Sequence, residues 1–176
     1  MTEYAKKIDE TTVRFERLLP GPIERVWAFL TESEKRRSWL AAGPMELRVG
    51  GGVELTFRNS QLAAKDEATP EKFCKYEGMS SHGRVLACEP PRLLTFTWFE
   101  GEGKIPSEVT FELSPRDGQV LLVLTHRHLA DREGMLSVAG GWHTHLGVLK
   151  ARLEGVDNPP FWASIAKLEK EYSNRL

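Results

Sequence analysis

Four histidines stand in two H-x-H pairs: His126 and His128 in "THRHL", and His143 and His145 in "GGWHTHLGVLK". An imidazole can ligate a metal, move a proton near neutral pH, or donate and accept hydrogen bonds. Metal ligation asks most of the spacing. On a helix, residues two apart lie about 200° apart around the axis, so His143 and His145 cannot share one ion. Zinc-binding helices space their histidines by four. On a strand, residues two apart share a face, so His126 and His128 can point the same way. A tetrahedral site would still need further ligands. Cys74, Cys88 and His82 offer no ligand spacing. No metal and no cofactor are expected.

Proton chemistry needs a histidine at the edge of a cavity. His126 follows Val120, Leu122 and Leu124 on one face of "QVLLVLTHR". It therefore points inward, where it can act as acid, base or donor. It can equally be a core-edge histidine satisfied by a carbonyl or a Ser/Thr neighbour. His145 lies about 60° from the axis of the helix's apolar stripe and reaches a cavity rim, while His143 sits further round, in solvent. No Ser-His-Asp order, G-x-S-x-G elbow or P-loop accompanies them. Glu54 and Glu112 fall on outward strand faces. The one catalytic candidate is His126.

These residues need elements to position them. "TTVRFERLLP" alternates Val13, Phe15 and Arg17 against Arg14 and Glu16, a strand ended by Pro20. Pro22 opens a helix carrying Ile23, Val26, Trp27 and Leu30. A second short helix, "ESEKRRSWLAA", takes Thr31 or Ser33 as its cap and ends at Trp39 and Leu40. "MELRVGGGVELTFR" reads as two short strands about a glycine turn. Residues 59–77 are polar and aperiodic, a long loop. "SHGRVLACE" and "RLLTFTWFE" are strands joined by Pro90-Pro91. "SEVTFELSP" and "QVLLVLTHRHL" form a hairpin about "PRDG". A helix then runs from an Asp131 cap to Gly155, with Met135, Trp142, Leu146, Leu149 and Leu153 in one narrow arc. Its internal Gly140-Gly141 marks either a bend or the start of a shorter helix. "PPFWASIAKLEKEY", over 159–172, is a short docked helix. Consecutive strands and segregated helices predict an α+β fold, its antiparallel sheet of roughly seven strands curling around the long helix.

The inward faces carry Trp39, Phe57, Phe96, Trp98, Phe111, Leu124, His126, Trp142, His145 and Leu146. Rings dominate cores in any case. They also wall apolar ligand sites, with Thr95, Thr97 or Arg84 as polar handles here. Only the unfilled volume separates the two readings. Lys plus Arg is 24 against 25 for Asp plus Glu, so no basic excess calls for nucleic acid. No apolar run approaches the roughly 18 residues of a membrane span. The opening "MTEYAKKIDE" has no secretory h-region, so a cytoplasmic, reducing setting is expected. An edge strand beside the 59–77 loop can pair in a homodimer.

The sequence resembles the START-like (Bet v 1-like, SRPBCC) superfamily, and within it the group named for the activator of Hsp90 ATPase. "PGPIERVWAFLTESEKRRSWL", "GRVLACEPPRLLTFTW", "SEVTFELSP", "VLTHRHL" and "GWHTHLGVLKARLEG" carry the resemblance. It implies a helix-grip fold: one START-like domain over 1–176, with its core about 11–155 and two short helices after the first strand. It also implies a cavity between sheet and C-terminal helix, which across the superfamily holds lipids, hormones, polyketides or aromatic molecules. Binding of a small hydrophobic molecule follows as the expected function. The alternatives are an Hsp90-type chaperone regulator or interaction module, by family name, and a cyclase- or hydrolase-like enzyme using His126.

Overall fold

The computed structural model of the chain describes residues 3–64, 66–99 and 105–176. Among them, seven strands form one antiparallel sheet. They are β1 (Lys6–Asp9), β2 (Thr12–Pro20), β3 (Gly52–Thr56), β4 (Ser80–Glu89), β5 (Leu93–Trp98), β6 (Ser107–Arg116) and β7 (Gln119–Arg127). Their order across the sheet is β1-β2-β7-β6-β5-β4-β3. Glu100, the last residue of the strand expected from "RLLTFTWFE", lies outside the described residues.

Each strand follows from its alternation. Val13, Phe15, Arg17 and Leu19 of β2 are buried, with half-buried residues between them. They stand opposite the inward residues of β7, Val13 against His126 and Phe15 against Leu124. The β6–β7 hairpin turns at Asp117 and Gly118, both at positive φ (50° and 78°). Two such residues make the two-residue turn whose twist suits adjoining strands, and Asp-Gly is the pair that tolerates it.

The strand total agrees with expectation, but the membership does not. Residues 45–49 are not a strand: Ala42 and Met45 make single bridges to Thr56 and Val53. β1 takes the vacant place. Its "KKID" is exposed throughout, so no apolar alternation announced it. The bridging segment also closes the β3 edge. Thr56 N–H donates to Ala42 O, Glu54 N–H to Pro44 O and Glu46 N–H to Gly52 O. The edge expected to pair in a homodimer therefore has its backbone groups engaged already.

Helix α1 (Ile23–Thr31) follows β2, and α2 is only Ser33–Arg36. Neither Thr31 nor Ser33 caps α2. Thr31 Oγ1 donates back to Trp27 O at 2.9 Å, and Ser33 Oγ accepts from Gly43 N–H at 2.9 Å. The described residues of the 59–77 segment include one 3₁₀ turn and the short α3 (Glu71–Cys74).

Helix α4 runs unbroken from Arg132 to Glu154, through Gly140 and Gly141. Asp131 Oδ1 caps it by accepting from Gly134 N–H at 2.8 Å, and Gly155 ends it at φ 71°. The shorter-helix alternative is thereby excluded. Its arc of Met135, Trp142, Leu146, Leu149 and Leu153 is buried against the sheet. Each such side chain contributes about 2 kcal/mol relative to exposure. Helix α5 (Phe161–Ser173) packs along α4. The arrangement is a helix-grip fold. No described helix is long and apolar enough to cross a membrane.

Candidate functional site

The two histidine pairs separate. β7 ends at Arg127, and His128 turns away at φ 62° to lie 3.6 Å from Glu108 on the surface. The shared strand face expected for His126 and His128 does not exist. Among the described residues, no group of three or more His, Cys, Asp or Glu is placed to hold a metal ion.

His126 is fully buried. Trp142 Nε1–H donates to its Nδ1 at 3.0 Å. That nitrogen is therefore unprotonated, and Nε2 carries the proton that meets Ser107 Oγ at 2.8 Å. Burial pushes its pKa down to about 3. Both ring nitrogens are engaged, and the ring is not on the lining of the hollow described below. Of the two sequence readings, the satisfied core histidine is the one this geometry supports.

His143 is half-buried rather than out in solvent. Tyr172 Oη accepts Ala5 N–H at 2.9 Å and shares a second hydrogen bond with His143 Nδ1 at 2.8 Å. Tyr4 packs on the same ring at 5.1 Å. Burial first, and the Arg17 charge second, bring its pKa down to about 4. The cover comes from α5 and the N-terminal segment, whose positions "GGWHTHLGVLK" cannot reveal.

The inward rings divide into a filled half and an open half. Trp39, Phe96, Phe111, Leu124, His126 and Leu146 are buried to within 2% of completely. Trp39 Nε1 donates to Phe29 O at 2.8 Å and its ring meets Phe111 edge-on. Here sheet and helix close on each other. Beyond them lies a hollow of about 430 Å³. Phe57, Trp98, Trp142 and His145, four of the ten expected residues, line it. Trp98 and Trp142 form the floor, their rings 5.0 Å apart. Thr95, Thr97 and Arg84 are not its polar handles. They alternate with inward Leu94, Phe96, Trp98 and Val85, so they belong to the opposite face of the sheet. There Thr95 pairs with Thr110 at 3.0 Å.

The remaining wall was not foreseen. Phe73, Tyr76 and Glu77 come from the 59–77 segment, and Trp162 from α5. Phe73 stacks on Trp162 at 5.1 Å and 21°. Tyr76, Met79 and Phe99, each about half exposed, rim the mouth. On α4, Gly141 leaves space where a side chain would project. A Cβ there would meet nothing within 4 Å.

Glu67 fixes this wall. Helix α5 begins after Pro160 with no side-chain cap of its own. Glu67 supplies one from 94 residues away, Oε2 accepting Phe161 N–H at 2.7 Å and Oε1 accepting Ala163 N–H at 3.1 Å. Burial works to raise its carboxyl. The backbone N–H groups of Ala64, Ala163, Phe161 and Trp162 outweigh that and hold it below the usual carboxylate range. Lys72 adds an exposed ion pair to Glu169 at 2.9 Å. Glu67→Ala is expected to lower stability by about 1 kcal/mol, the worth of a helix cap. It should also speed amide exchange at Phe161 and Ala163. Unchanged exchange at both amides would show that α5 does not depend on this cap.

His145 is the buried polar residue of the lining, 7% exposed. Its Nδ1–H donates to Trp39 O at 2.7 Å, and Phe161 meets the ring at 5.2 Å and 71°. Burial pushes its pKa down to about 4, although the Trp39 bond pulls the other way.

Three comparisons place this architecture. A solution NMR structure of a Bordetella parapertussis protein is 48% identical, with a TM-score of 0.84 over 99% of this chain and 91% of that one. CalU16 from Micromonospora echinospora is 23% identical, with a TM-score of 0.70 over 97% and 93%. A conserved protein of unknown function from Enterococcus faecalis is 19% identical, with a TM-score of 0.69 over 99% and 90%. The last two show the fold alone. No curated protein matches the chain. The profile described as "Activator of Hsp90 ATPase homolog 1-like protein" matches residues 20–154, from the end of β2 to the last residue of α4. Both the sequence match and the grip of the sheet on α4 lead to one conclusion: the chain belongs to the Activator of Hsp90 ATPase homolog 1-like family.

Proposed function

We propose that the chain binds a small hydrophobic, ring-containing molecule in the hollow between β5, α4, α5 and the 59–77 segment. One observation carries this reading: about 430 Å³ remains unfilled in a wall of aromatic side chains. Protein interiors otherwise close such space, and ligand sites of this kind run from roughly 300 to 1,000 Å³. The half-exposed apolar rim gives the ligand a way in. His126 has no part in it, because both its nitrogens are spent within the core.

Trp98, Trp142 and Trp162 all line the hollow and report on its contents. A screen of aromatic and lipid-like molecules, read by their fluorescence and by thermal shift, tests the proposal. A ligand at a hundred times its Kd stabilises the folded state by about 2.7 kcal/mol. Gly141→Leu is the control. It fills open space and relieves a helix-interior glycine cost of about 1 kcal/mol. The variant is expected to melt no lower than the parent while losing at least roughly tenfold in affinity, since its side chain occupies the ligand's volume. Equal binding by parent and variant places the ligand elsewhere.

The family description carries a second reading, regulation of an Hsp90-type ATPase. What speaks for it is the outer sheet face, where half-buried Leu18, Leu121 and Val123 cluster among Arg14, Glu16 and Thr125. A purified chain that leaves such an ATPase rate unchanged removes that reading.

A further inference from the structure

The hollow is walled mainly by rings and aliphatic groups, and among the described residues no Lys or Arg lines it. Both oxygens of Glu77 are engaged by Ser60, at 2.9 Å and 2.8 Å. His145 differs. Trp39 O can only accept, so Nδ1 carries the ring proton. The ring is neutral, because burial holds its pKa near 4. Nε2 is then a bare lone pair. Among the described residues no hydrogen bond reaches it, and it belongs to a side chain that lines the hollow. The Trp39 bond and the Phe161 contact fix the ring in place.

We propose that His145 Nε2 selects the ligand: the hollow takes a neutral aromatic molecule bearing a hydroxyl or N–H donor, in preference to the same skeleton without one. The inference rests on the hollow being a ligand site. An aprotic ligand would shut a lone pair away from water unsatisfied, and such a group is costly to strand. A carboxylate would fare worse, facing that lone pair with no cation to offset its desolvation. A hydroxyl on a ring answers both demands, with the ring against Trp98 and Trp142 and the proton on Nε2.

The test uses three probes of one skeleton: 4-phenylphenol, its methyl ether, and biphenyl-4-carboxylate. Calorimetric titration of the wild-type protein is expected to show the phenol binding about tenfold tighter than the ether, the scale of one buried hydrogen bond, with the carboxylate weakest. The ¹⁵N resonance of His145 Nε2 should move on adding phenol and stay still on adding ether. His145→Asn keeps an N–H near the position of Nδ1 for Trp39 O and removes Nε2, so the phenol-to-ether ratio should fall to about one. If that variant does not fold, the wild-type nitrogen shift decides. Equal affinities with an unmoved Nε2 signal overturn the selection by His145 and leave the hollow as a ligand site. If no probe binds and no molecule in the wider screen distinguishes the parent from Gly141→Leu, the hollow reading falls and this inference falls with it.

Discussion

Between pH 6.5 and pH 4.5 the protein is expected to lose stability at about 2 kcal/mol per pH unit from two histidines alone. His126 and His145 titrate near 3 and near 4 in the folded chain, against an ordinary value of 6.5. Above about pH 7.5 both are neutral whether folded or not, and their contribution is constant. Below it, the unfolded chain binds protons that the folded chain refuses, and each pH unit of acid comes to cost up to about 1.4 kcal/mol per histidine once the unfolded ring is fully charged. The loss levels off only where the folded rings themselves protonate, near pH 4 and pH 3. His143 adds in the same direction, by less, because water reaches part of its surroundings. Glu67 and Glu171, held below their usual range, add their share further down, below about pH 4.5. Typical domains have 5–15 kcal/mol to lose. Acid unfolding should therefore begin near pH 5, well above the range where carboxylates alone would bring it about. Urea midpoints at pH 7.5, 6.5, 5.5 and 4.5 measure the slope, and His145→Asn should remove about half of the two-histidine part. A flat profile from pH 7 to pH 5 would mean that these rings are not neutral and dry.

The histidines also show which parts of the site were legible in the sequence. Strand parity put His126 inward, and parity is local: Val120, Leu122 and Leu124 precede it on the same face. Helix α4 was readable to within one residue at each end because Asp131 and Gly155 are local start and stop signals. Asp117-Gly118 gave the hairpin for the same reason. Thr95 and Thr97 face away from the hollow because inward Phe96 and Trp98 oblige their neighbours to face out, and Arg84 does so because Val85 faces in, a parity legible in the sequence. His143 is a different case. Its cover is Tyr4 and Tyr172, and no periodicity on α4 encodes what other segments bring to its far side. The outer wall of the hollow was hidden likewise. Phe73, Tyr76 and Trp162 sit in an aperiodic stretch and a short terminal helix, joined by a Glu67 cap that spans 94 residues. Ten inward residues marked the surface where sheet meets helix. Where that surface stays open depends on how far the 59–77 segment stands off from it, a distance set by tertiary contacts alone.

His126→Ala is expected to cost about 3–5 kcal/mol of stability while leaving affinity for a hollow ligand within about twofold. The imidazole is fully buried between Trp98, 5.8 Å away, and Trp142, 6.4 Å away. Removing it leaves a void beside two rings and strands the Trp142 Nε1–H without its acceptor. Both penalties fall on the folded state, one for lost packing and one for a buried donor left unpaired. His126→Gln should recover part of the loss, since an amide restores an acceptor and a donor along the same line. The hollow should be largely indifferent to either change, because His126 stands behind Trp98 and Trp142 rather than on the lining. A catalytic histidine predicts the reverse, a near-normal melting temperature with turnover abolished on any substrate found. Denaturant titration paired with ligand titration on the same two variants separates these outcomes. A His126→Ala protein that unfolds at the parental midpoint would refute the role assigned to this ring.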